Sequence, residues 1–252
     1  MNILVINPNT SENMTDAIRE SARRGAGSGV NVDVVSAARG PRSIEGNLDH
    51  CLASVGVLER IAGSIGKYDG YVIACFGDPA LEAACEMVDC PVVGIAEAAM
   101  HMACFVGSKF SVISVLDRAR PTTEELVRKY GLWEKCASIR TTGIAVLDLE
   151  RDPERAAKRL EEEGRIAVQE DGAEVLLLGC AGLTGMNERL AKAVGVPVLD
   201  GVVMAVSLVE TLVRHQIRTS KKAMFMKPEK KGIVGYGSVF DVIYTDGPRG
   251  DR

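Results

Sequence analysis

Two stretches of the 252-residue sequence share one pattern, and that pattern decides the fold. "YVIACFGDPALEAA" covers residues 71–84 and "EVLLLGCAGLTGMN" covers residues 174–187. Each is a short apolar run that ends in a cysteine and continues through small residues into a stretch of helical period. The pattern predicts that Cys75 and Cys180 each close a buried strand that is followed by a helix.

The rest of the chain alternates between short apolar runs and longer amphipathic segments. This alternation predicts an α/β fold, in which parallel strands are covered by helices on both faces. The predicted strands are Ile3–Asn7, Val30–Ser36, Gly70–Ala74, Val92–Gly94, Phe110–Val115, Thr141–Val146, Val175–Leu178 and Val196–Leu199. The predicted helices are Asn13–Arg23, Cys51–Gly66, Leu81–Val88, Thr122–Tyr130, Asp152–Asp171 and Asn187–Val194, with a further helix that ends near His215.

The two halves of the chain match at three landmarks. Their spacing is 105 residues for Cys75 and Cys180, 106 for Pro91 and Pro197, and 107 for Ile6 and Ile113. Nearly constant spacing in the same order indicates a tandem duplication. Chance is the alternative, because strand, small residue and helix follow one another in many α/β chains.

A duplication predicts two lobes related by a pseudo-twofold axis, each a mostly parallel sheet flanked by helices, with the active site in the cleft between them. The first lobe is expected to comprise residues 1–100 and 204–252, and the second residues 101–203. The segment after residue 203 has no counterpart in the other half. It could return to the first lobe, pair with a neighbouring subunit, or fray.

Composition narrows the range of partners. The formal net charge is −4 and the pI about 5.6, so no basic field indicates nucleic acid or an anionic membrane. The apolar stretches are shorter than the roughly 20 residues of a membrane helix, and "MNILVINPNT" enters a strand without the features of a signal peptide. Seven cysteines, an odd number, favour reduced thiols. We expect a soluble cytoplasmic protein with a small-molecule substrate.

A cysteine at the end of a parallel strand lies where such sheets bind ligands. The start of the following helix is expected to stabilise a thiolate and to lower the thiol pKa below about 8.5. Gly77 follows Cys75, and Ala181 and Gly182 follow Cys180. Small residues let backbone N–H groups approach a ligand closely, so these amides could hold an oxyanion or an enolate.

Two thiols on opposite sides of a cleft suit a 1,1-proton transfer. One thiolate removes a proton from a flat carbon centre, and the other thiol returns a proton to the opposite face. Each sulfur should lie roughly 3–3.5 Å from the reacting carbon, which places the two sulfurs about 6–8 Å apart. Neither a metal nor an organic cofactor is needed if a carbonyl of the substrate takes the charge. The alternative is that both are core cysteines, because a free cysteine packs as a small hydrophobic residue.

Five motifs in order give the chain a family resemblance. They are "INPNTSENMT" (residues 6–15), "CFGDPAL" (75–81), "PVVGIAEAA" (91–99), "LGCAGL" (178–183) and "RTSK" (218–221). With them the chain resembles the hydantoin/allantoin branch of the aspartate/glutamate/hydantoin racemase superfamily over roughly residues 1 to 230. Aspartate and glutamate racemases typically show CNT-type and GCTE-type cysteine motifs, whereas this chain has CFGD and GCAG.

The resemblance implies two pseudo-symmetric α/β lobes, a two-base mechanism without a cofactor, and a homo-oligomer. It assigns the acid and base roles to Cys75 and Cys180. It also implies substrate contacts at Asn9, after the first strand, and at Ser114 and Val115, where the family often has threonine.

Other candidate residues each have two interpretations. Phe76 could pack on a substrate ring or fill the core. Asp78 and Glu97 could orient a thiol or bind ring N–H groups, but both also suit the start of a helix. The three histidines are scattered, without the spacing of a zinc site, and are expected to be packing or surface groups.

Several functions are compatible with this pattern. A racemase of 5-substituted hydantoins leads, because the carbonyl at C4 acidifies the proton at C5. Allantoin, a hydantoin with a ureido group at C5, is the next substrate. An aspartate or glutamate racemase follows, and a decarboxylase is disfavoured because it needs only one proton donor. A non-catalytic small-molecule binding protein is the alternative from another class.

Overall fold

Two parallel sheets form the centre of the protein, and the computed structural model describes residues 1–236 and 239–244. Within these residues, one four-stranded sheet has the order β2-β1-β3-β4 and the other the order β6-β5-β7-β8. The matching strand orders confirm the predicted α/β fold with two lobes. The strands are β1 (Asn2–Asn7), β2 (Asn31–Ser36), β3 (Gly70–Ile73), β4 (Val92–Gly94), β5 (Phe110–Ser114), β6 (Cys136–Thr141), β7 (Val175–Leu178) and β8 (Val198–Leu199).

Helices cover both faces of the sheets. The α-helices of the described residues are α1 (Glu12–Gly25), α2 (Asn47–Ala62), α3 (Leu81–Met87), α4 (Ile95–Val106), α5 (Arg120–Lys129), α6 (Val146–Arg151), α7 (Pro153–Gln169), α8 (Asn187–Val194), α9 (Gly201–Arg214) and α10 (Asp241–Tyr244), of which α10 has no buried residue. None of the helices that the structure describes is long and apolar enough to cross a membrane.

The central strands are buried on both faces because each face packs against helices. In β1, Ile3 and Val5 point into a core that continues into the second lobe, whereas Leu4 and Ile6 point into a smaller core beneath α2 and α3. This alternation follows from the two-residue period of a strand. The larger core contains residues of both sheets, so the lobes share one apolar interior.

Helix α9 returns the chain to the first lobe and packs against α1, α4 and β3. Two glycines permit this close packing. A Cβ atom at Gly201 would lie 2.6 Å from the carbonyl oxygen of Ile95, and one at Gly25 would lie 2.7 Å from that of Val203. Beyond α9, Thr219 N–H donates to the carbonyl of Asp89 at 3.1 Å, and Lys221 donates to that of Glu86 at 3.3 Å. Residues 219–221 therefore also contact the first lobe.

One predicted strand is wrong. The expected strand Thr141–Val146 is instead β6, Cys136–Thr141, and Val146 begins α6. β6 pairs with β5 alone and carries half-exposed side chains, so its sequence lacks an apolar run. Gly143, at φ +71°, turns the chain out of the sheet, and the apolar residues after it enter a helix.

The sequence predicts no bounds for helix α4, although His101 and Cys104 fall in a stretch that suits a helix. Its sequence, "IAEAAMHMACFV", is apolar on most sides because the helix lies between the lobes, so it lacks an amphipathic period. The predicted boundary between residues 100 and 101 falls inside α4. The division into residues 1–100 with 204–252 and residues 101–203 stays a prediction, and its residues 237–238 and 245–252 lie outside the described part.

Candidate active site

A pocket with a cavity of about 90 Å³ lies at the carboxyl ends of the central strands of both sheets. Both cysteines face it, Cys75 after β3 and Cys180 after β7. The pocket is also lined by six of the seven residues predicted to bind substrate, namely Asn9, Phe76, Gly77, Ser114, Val115 and Ala181. The seventh, Gly182, is not among the lining residues. The fold therefore brings the two strand-end thiols to one pocket.

The two thiols have equivalent surroundings. The sulfur of Cys180 accepts a hydrogen bond from the N–H of Gly182 at 3.3 Å. The sulfur of Cys75 interacts in the same way with the backbone N–H of Gly77. Both donors lie two residues after the cysteine, where they would stabilise a thiolate. The sequence suggested these amides as binders of a substrate oxyanion, but in the structure they point at sulfur.

Burial dominates the acidity of the thiols. It raises the pKa of Cys75 to about 12 and that of Cys180 to about 11. The N–H groups of Gly77 and Gly182 lower these pKa values, but loss of solvation is the larger effect. The expectation of a pKa below 8.5 is therefore wrong.

The thiols also interact with each other. A charge on Cys180 raises the pKa of Cys75 further. Because the first ionisation hinders the second, the pair favours one thiolate beside one thiol over two thiolates. A proton transfer between two faces of a carbon centre needs this asymmetric state.

Asn9 is buried, and its carbonyl oxygen is engaged by the protein. That oxygen accepts hydrogen bonds from the Asn7 side chain and from the N–H of Ser11, both at 2.9 Å. The NH₂ group lies 3.1 Å from the sulfur of Met14, which is a weak acceptor. The NH₂ group is thus the part of Asn9 that suits a ligand carbonyl. The helix cap is Ser11, whose hydroxyl accepts from the N–H of Met14.

The other predicted lining residues also have structural contacts. The hydroxyl of Ser114 donates to the carbonyl of Gly179 at 3.3 Å, just before Cys180. Phe76 is buried in the shared core and also lines the pocket, so its core role is confirmed while its contact with a substrate ring stays a prediction.

Asp78 is buried and is not one of the lining residues of the pocket. Its carboxylate accepts from the N–H groups of Ala96 and Glu97, at 3.1 and 2.8 Å, which is the helix-start role. Burial raises the pKa of Asp78 to about 7, although hydrogen bonds from Tyr130, Glu97 and Ala96 lower it. Glu97 itself lies on the first turn of α4.

Sequence reasoning missed residues that reach the pocket from more distant segments. Glu45 and His50 come from the β2–α2 connection and the first turns of α2, and Thr123 comes from α5. An oxygen of Glu45 accepts from the N–H of Val146 at 2.8 Å and so joins the two lobes. The Nε2 atom of His50 lies 3.1 Å from the carbonyl oxygen of Gly77. No local pattern marks these side chains, because their place depends on how the segments pack.

The charge of the pocket disfavours anionic ligands. Among the described residues that line it, Glu45 is acidic and none is lysine or arginine. Much of the remaining surface is apolar, with contributions from Met14, Ile44 and Val146. Within the described part of the chain, no group of three His, Cys, Asp or Glu side chains is placed to hold a metal ion.

Comparison with known proteins shows the family of the chain. Residues 3–209 match the model of the Asp/Glu/Hydantoin racemase family. The chain belongs to this racemase family. It is therefore an isomerase of the class that acts on amino acids and their derivatives, as the motifs predicted.

Relatives within the racemase family match nearly the whole chain. A hydantoin racemase of Pseudomonas sp. (strain NS671) is 47% identical over 236 residues, which cover 93% of this chain and 95% of the relative. A hydantoin racemase of Paenarthrobacter aurescens is 42% identical, with 92% and 99% covered. The solved structure of an allantoin racemase from Klebsiella pneumoniae has a TM-score of 0.91 at 42% identity and covers 94% of this chain and 97% of its own.

Proposed function

We propose that the protein is a cofactor-independent racemase of 5-substituted hydantoins. The observation that carries this proposal is the placement of Cys75 and Cys180, at equivalent strand ends, on one pocket. Hydantoin racemases 47% and 42% identical to the chain support the substrate class.

The proposed reaction is a 1,1-proton transfer at C5 of the ring. The thiolate of one cysteine takes the C5 proton, and the electron pair of the C–H bond moves onto the C4 carbonyl as an enolate. The thiol of the other cysteine then protonates C5 from the opposite face and is left as a thiolate. The two sulfurs have exchanged protonation states, and the product is the opposite enantiomer.

Burial of the thiols suits this chemistry. A thiolate whose conjugate acid has a pKa of about 11 or 12 is a stronger base than an exposed thiolate. Its formation is correspondingly costly, so the substrate must carry an activated C–H bond. The C5 proton of a hydantoin meets this requirement better than the α-proton of a free amino acid.

The polar groups of the pocket match a neutral ring. The NH₂ group of Asn9 would donate to a ring carbonyl, and the carboxylate of Glu45 would accept from a ring N–H. A dicarboxylate would instead meet Glu45 without a lysine or arginine among the described lining residues. This difference disfavours aspartate and glutamate.

Allantoin is the second candidate, favoured by the solved allantoin racemase at a TM-score of 0.91. Its ureido group carries several hydrogen-bonding atoms that must be satisfied when buried. The apolar wall formed by Met14, Ile44 and Val146 favours an aliphatic or aromatic substituent instead.

The proposal includes a cytoplasmic location and a homo-oligomeric state. Cysteines with free thiols, including the buried Cys85, suit the reducing cytoplasm. The family resemblance supports a homo-oligomer.

Proton NMR in D₂O tests the proposed function. Single enantiomers of 5-alkyl and 5-benzyl hydantoins, allantoin, aspartate and glutamate are incubated with the protein, and loss of the C5 or α-proton signal is compared with enzyme-free samples. We expect exchange with the hydantoins, and slower exchange with allantoin. Exchange with the amino acids alone would contradict the proposal.

Variants test the two-base assignment. Cys75→Ala and Cys180→Ala should each abolish racemisation, measured by chiral chromatography, while Cys51→Ala, at an exposed cysteine, should retain it. Full activity in one of these two variants, each of which lacks one pocket thiol, would refute the two-base mechanism.

A further inference from the structure

Asp78 lies three residues after Cys75 and is the centre of a buried hydrogen-bond cluster. Only 3% of its surface is exposed. Besides the bonds from Ala96 and Glu97 at the start of α4, its carboxylate accepts one from the hydroxyl of Tyr130 at 2.6 Å. Tyr130 follows α5 in the second lobe. One carboxylate thus joins the loop after Cys75, helix α4 and the opposite lobe.

The backbone of this loop is tightly constrained. The N–H of Asp78 donates to the carbonyl of Cys75 at 3.0 Å. Asp78 and Ala80 have φ values of +44° and +62°. These values lie in the left-handed region, which residues other than glycine seldom adopt. Such conformations persist where surrounding contacts hold them, and they cluster at functional sites. The carboxylate cluster supplies those contacts here.

Gly94 makes room for the cluster. A Cβ atom at this position would lie 2.2 Å from the carboxyl carbon of Asp78. The carboxylate therefore sits directly against the backbone at the start of α4, where the unpaired N–H groups of the helix are available.

The second lobe contains an equivalent carboxylate junction, which is a buried carboxylate that joins the segment after the cysteine to the start of a helix. Here the carboxylate belongs to the helix start instead of the loop. Asp200, at the start of α9, accepts from the hydroxyl of Thr184 at 2.5 Å and from the N–H of Gly185 at 3.0 Å. It also accepts from the N–H of Val202 at 2.9 Å. A carboxylate thus joins the segment after each cysteine to a helix start, but the loop carries it in the first lobe and the helix in the second.

We propose that Asp78 is a positioning residue for Cys75. It holds the loop that carries the thiol and the N–H of Gly77 against α4 and, through Tyr130, against the second lobe. The sulfur of Cys75 is thereby fixed relative to Cys180. The catalytic consequence rests on the proposed function, but the placement of the thiol can be measured without turnover.

The experiment compares Asp78→Asn and Tyr130→Phe with Asp200→Asn, the matched variant of the other junction. The rates at which iodoacetamide modifies Cys75 and Cys180 are followed separately by mass spectrometry of peptides, alongside kcat and KM. Circular dichroism checks the fold. Tyr130→Phe, which removes one oxygen atom, serves if Asp78→Asn does not fold.

Tyr130→Phe, which keeps the carboxyl group of Asp78, should make Cys75 more accessible, so modification of Cys75 accelerates about threefold or more while that of Cys180 is unchanged. Asp78→Asn should accelerate modification of Cys75 further, because loss of the negative charge also lowers the pKa of that thiol. Asp200→Asn should accelerate the modification of Cys180 and leave that of Cys75 unchanged. A misplaced thiol should lower kcat on the order of 100-fold in Asp78→Asn and about tenfold in Tyr130→Phe. KM should change little, because Asp78 does not line the pocket.

Unchanged modification of Cys75 in Tyr130→Phe would overturn the proposal, because acceleration in Asp78→Asn alone would reflect the lost charge. Equal acceleration of both cysteines would also overturn it, since that result indicates general loosening. Failure of the proposed function is a separate outcome, in which Cys75→Ala remains active whatever the modification rates show.

Discussion

At the residue scale, the two thiols are governed by competition between burial and hydrogen bonding. Burial wins and raises both pKa values, to about 12 and 11. Each thiol is partly exposed to the pocket, yet the surrounding protein leaves little water to stabilise a charge. A thiolate formed at either position would therefore be a strong base that forms reluctantly.

This balance predicts the pH dependence of thiol reactivity. For a thiol whose pKa is raised, the thiolate fraction at pH 7 falls, and it grows about tenfold per pH unit until the pKa is approached. Modification of Cys75 and Cys180 by iodoacetamide should therefore keep rising between pH 7 and pH 10. The exposed Cys51 serves as the internal comparison. A plateau for the pocket thiols near pH 8 would contradict the raised values.

Glu45 should influence one thiol selectively. Burial has the largest effect on the pKa of Cys180, and the N–H bond from Gly182 has the next largest. The negative charge of Glu45 comes third and raises this pKa. Glu45→Gln removes the charge but keeps an oxygen that can accept from the N–H of Val146. We expect modification of Cys180 at pH 8 to accelerate and that of Cys75 to stay constant. Slower modification of Cys180 would contradict the prediction that Glu45 raises the pKa of this thiol.

The sequence predicts the residues of the site that follow strands, because a strand end is a local pattern. Cys75 and Cys180 are found this way, whereas Asn9 and Ser114 are found through the family resemblance, and all four line the pocket. Glu45 and His50 are not, since their contribution depends on how a loop and a helix cross the cleft.

At the element scale, a helix or strand can be predicted when the hydrophobic pattern of its own sequence matches its burial in the fold. β3 and β7 are buried on both faces and read as short apolar runs. β6 is half-exposed at an edge, and α4 is apolar on most sides, so neither shows the period expected of its type.

The start of α4 supplies a stability prediction. Gly94→Ala would place a methyl group on the carboxylate of Asp78, so we expect a loss of about 2–3 kcal/mol in the free energy of unfolding, measured with urea. Gly63→Ala is the matched control, because its Cβ would meet the Glu59 carbonyl at an ordinary 3.5 Å. Similar stability of the two variants would show that the Asp78 cluster rearranges at little cost.

At the scale of the whole molecule, constant spacing between landmarks is what made the architecture predictable. β3 and β7 begin 105 residues apart, at Gly70 and Val175, the same spacing as that of the two cysteines. The position of α9 was harder to predict, because a helix that returns across two others is specified by close contacts at Gly25 and Gly201.

The shared core predicts cooperative unfolding. Apolar residues of both sheets belong to one cluster, so neither lobe keeps its interior when the other opens. The single tryptophan, Trp133, follows α5 in the second lobe and reports on it by fluorescence, while circular dichroism reports on the whole chain. We expect both signals to change at the same urea concentration. Separate midpoints would show that the lobes unfold independently.

The two carboxylate junctions bear on the ancestry of the molecule. Asp78 follows its cysteine by three residues and Asp200 follows its own by twenty, so superposing the two halves of the sequence leaves both aspartates unmatched. Each nevertheless puts a carboxyl group between a cysteine loop and a helix start. Descent from a common half-length ancestor would mean that the location of the carboxyl group was inherited while the residue carrying it was replaced.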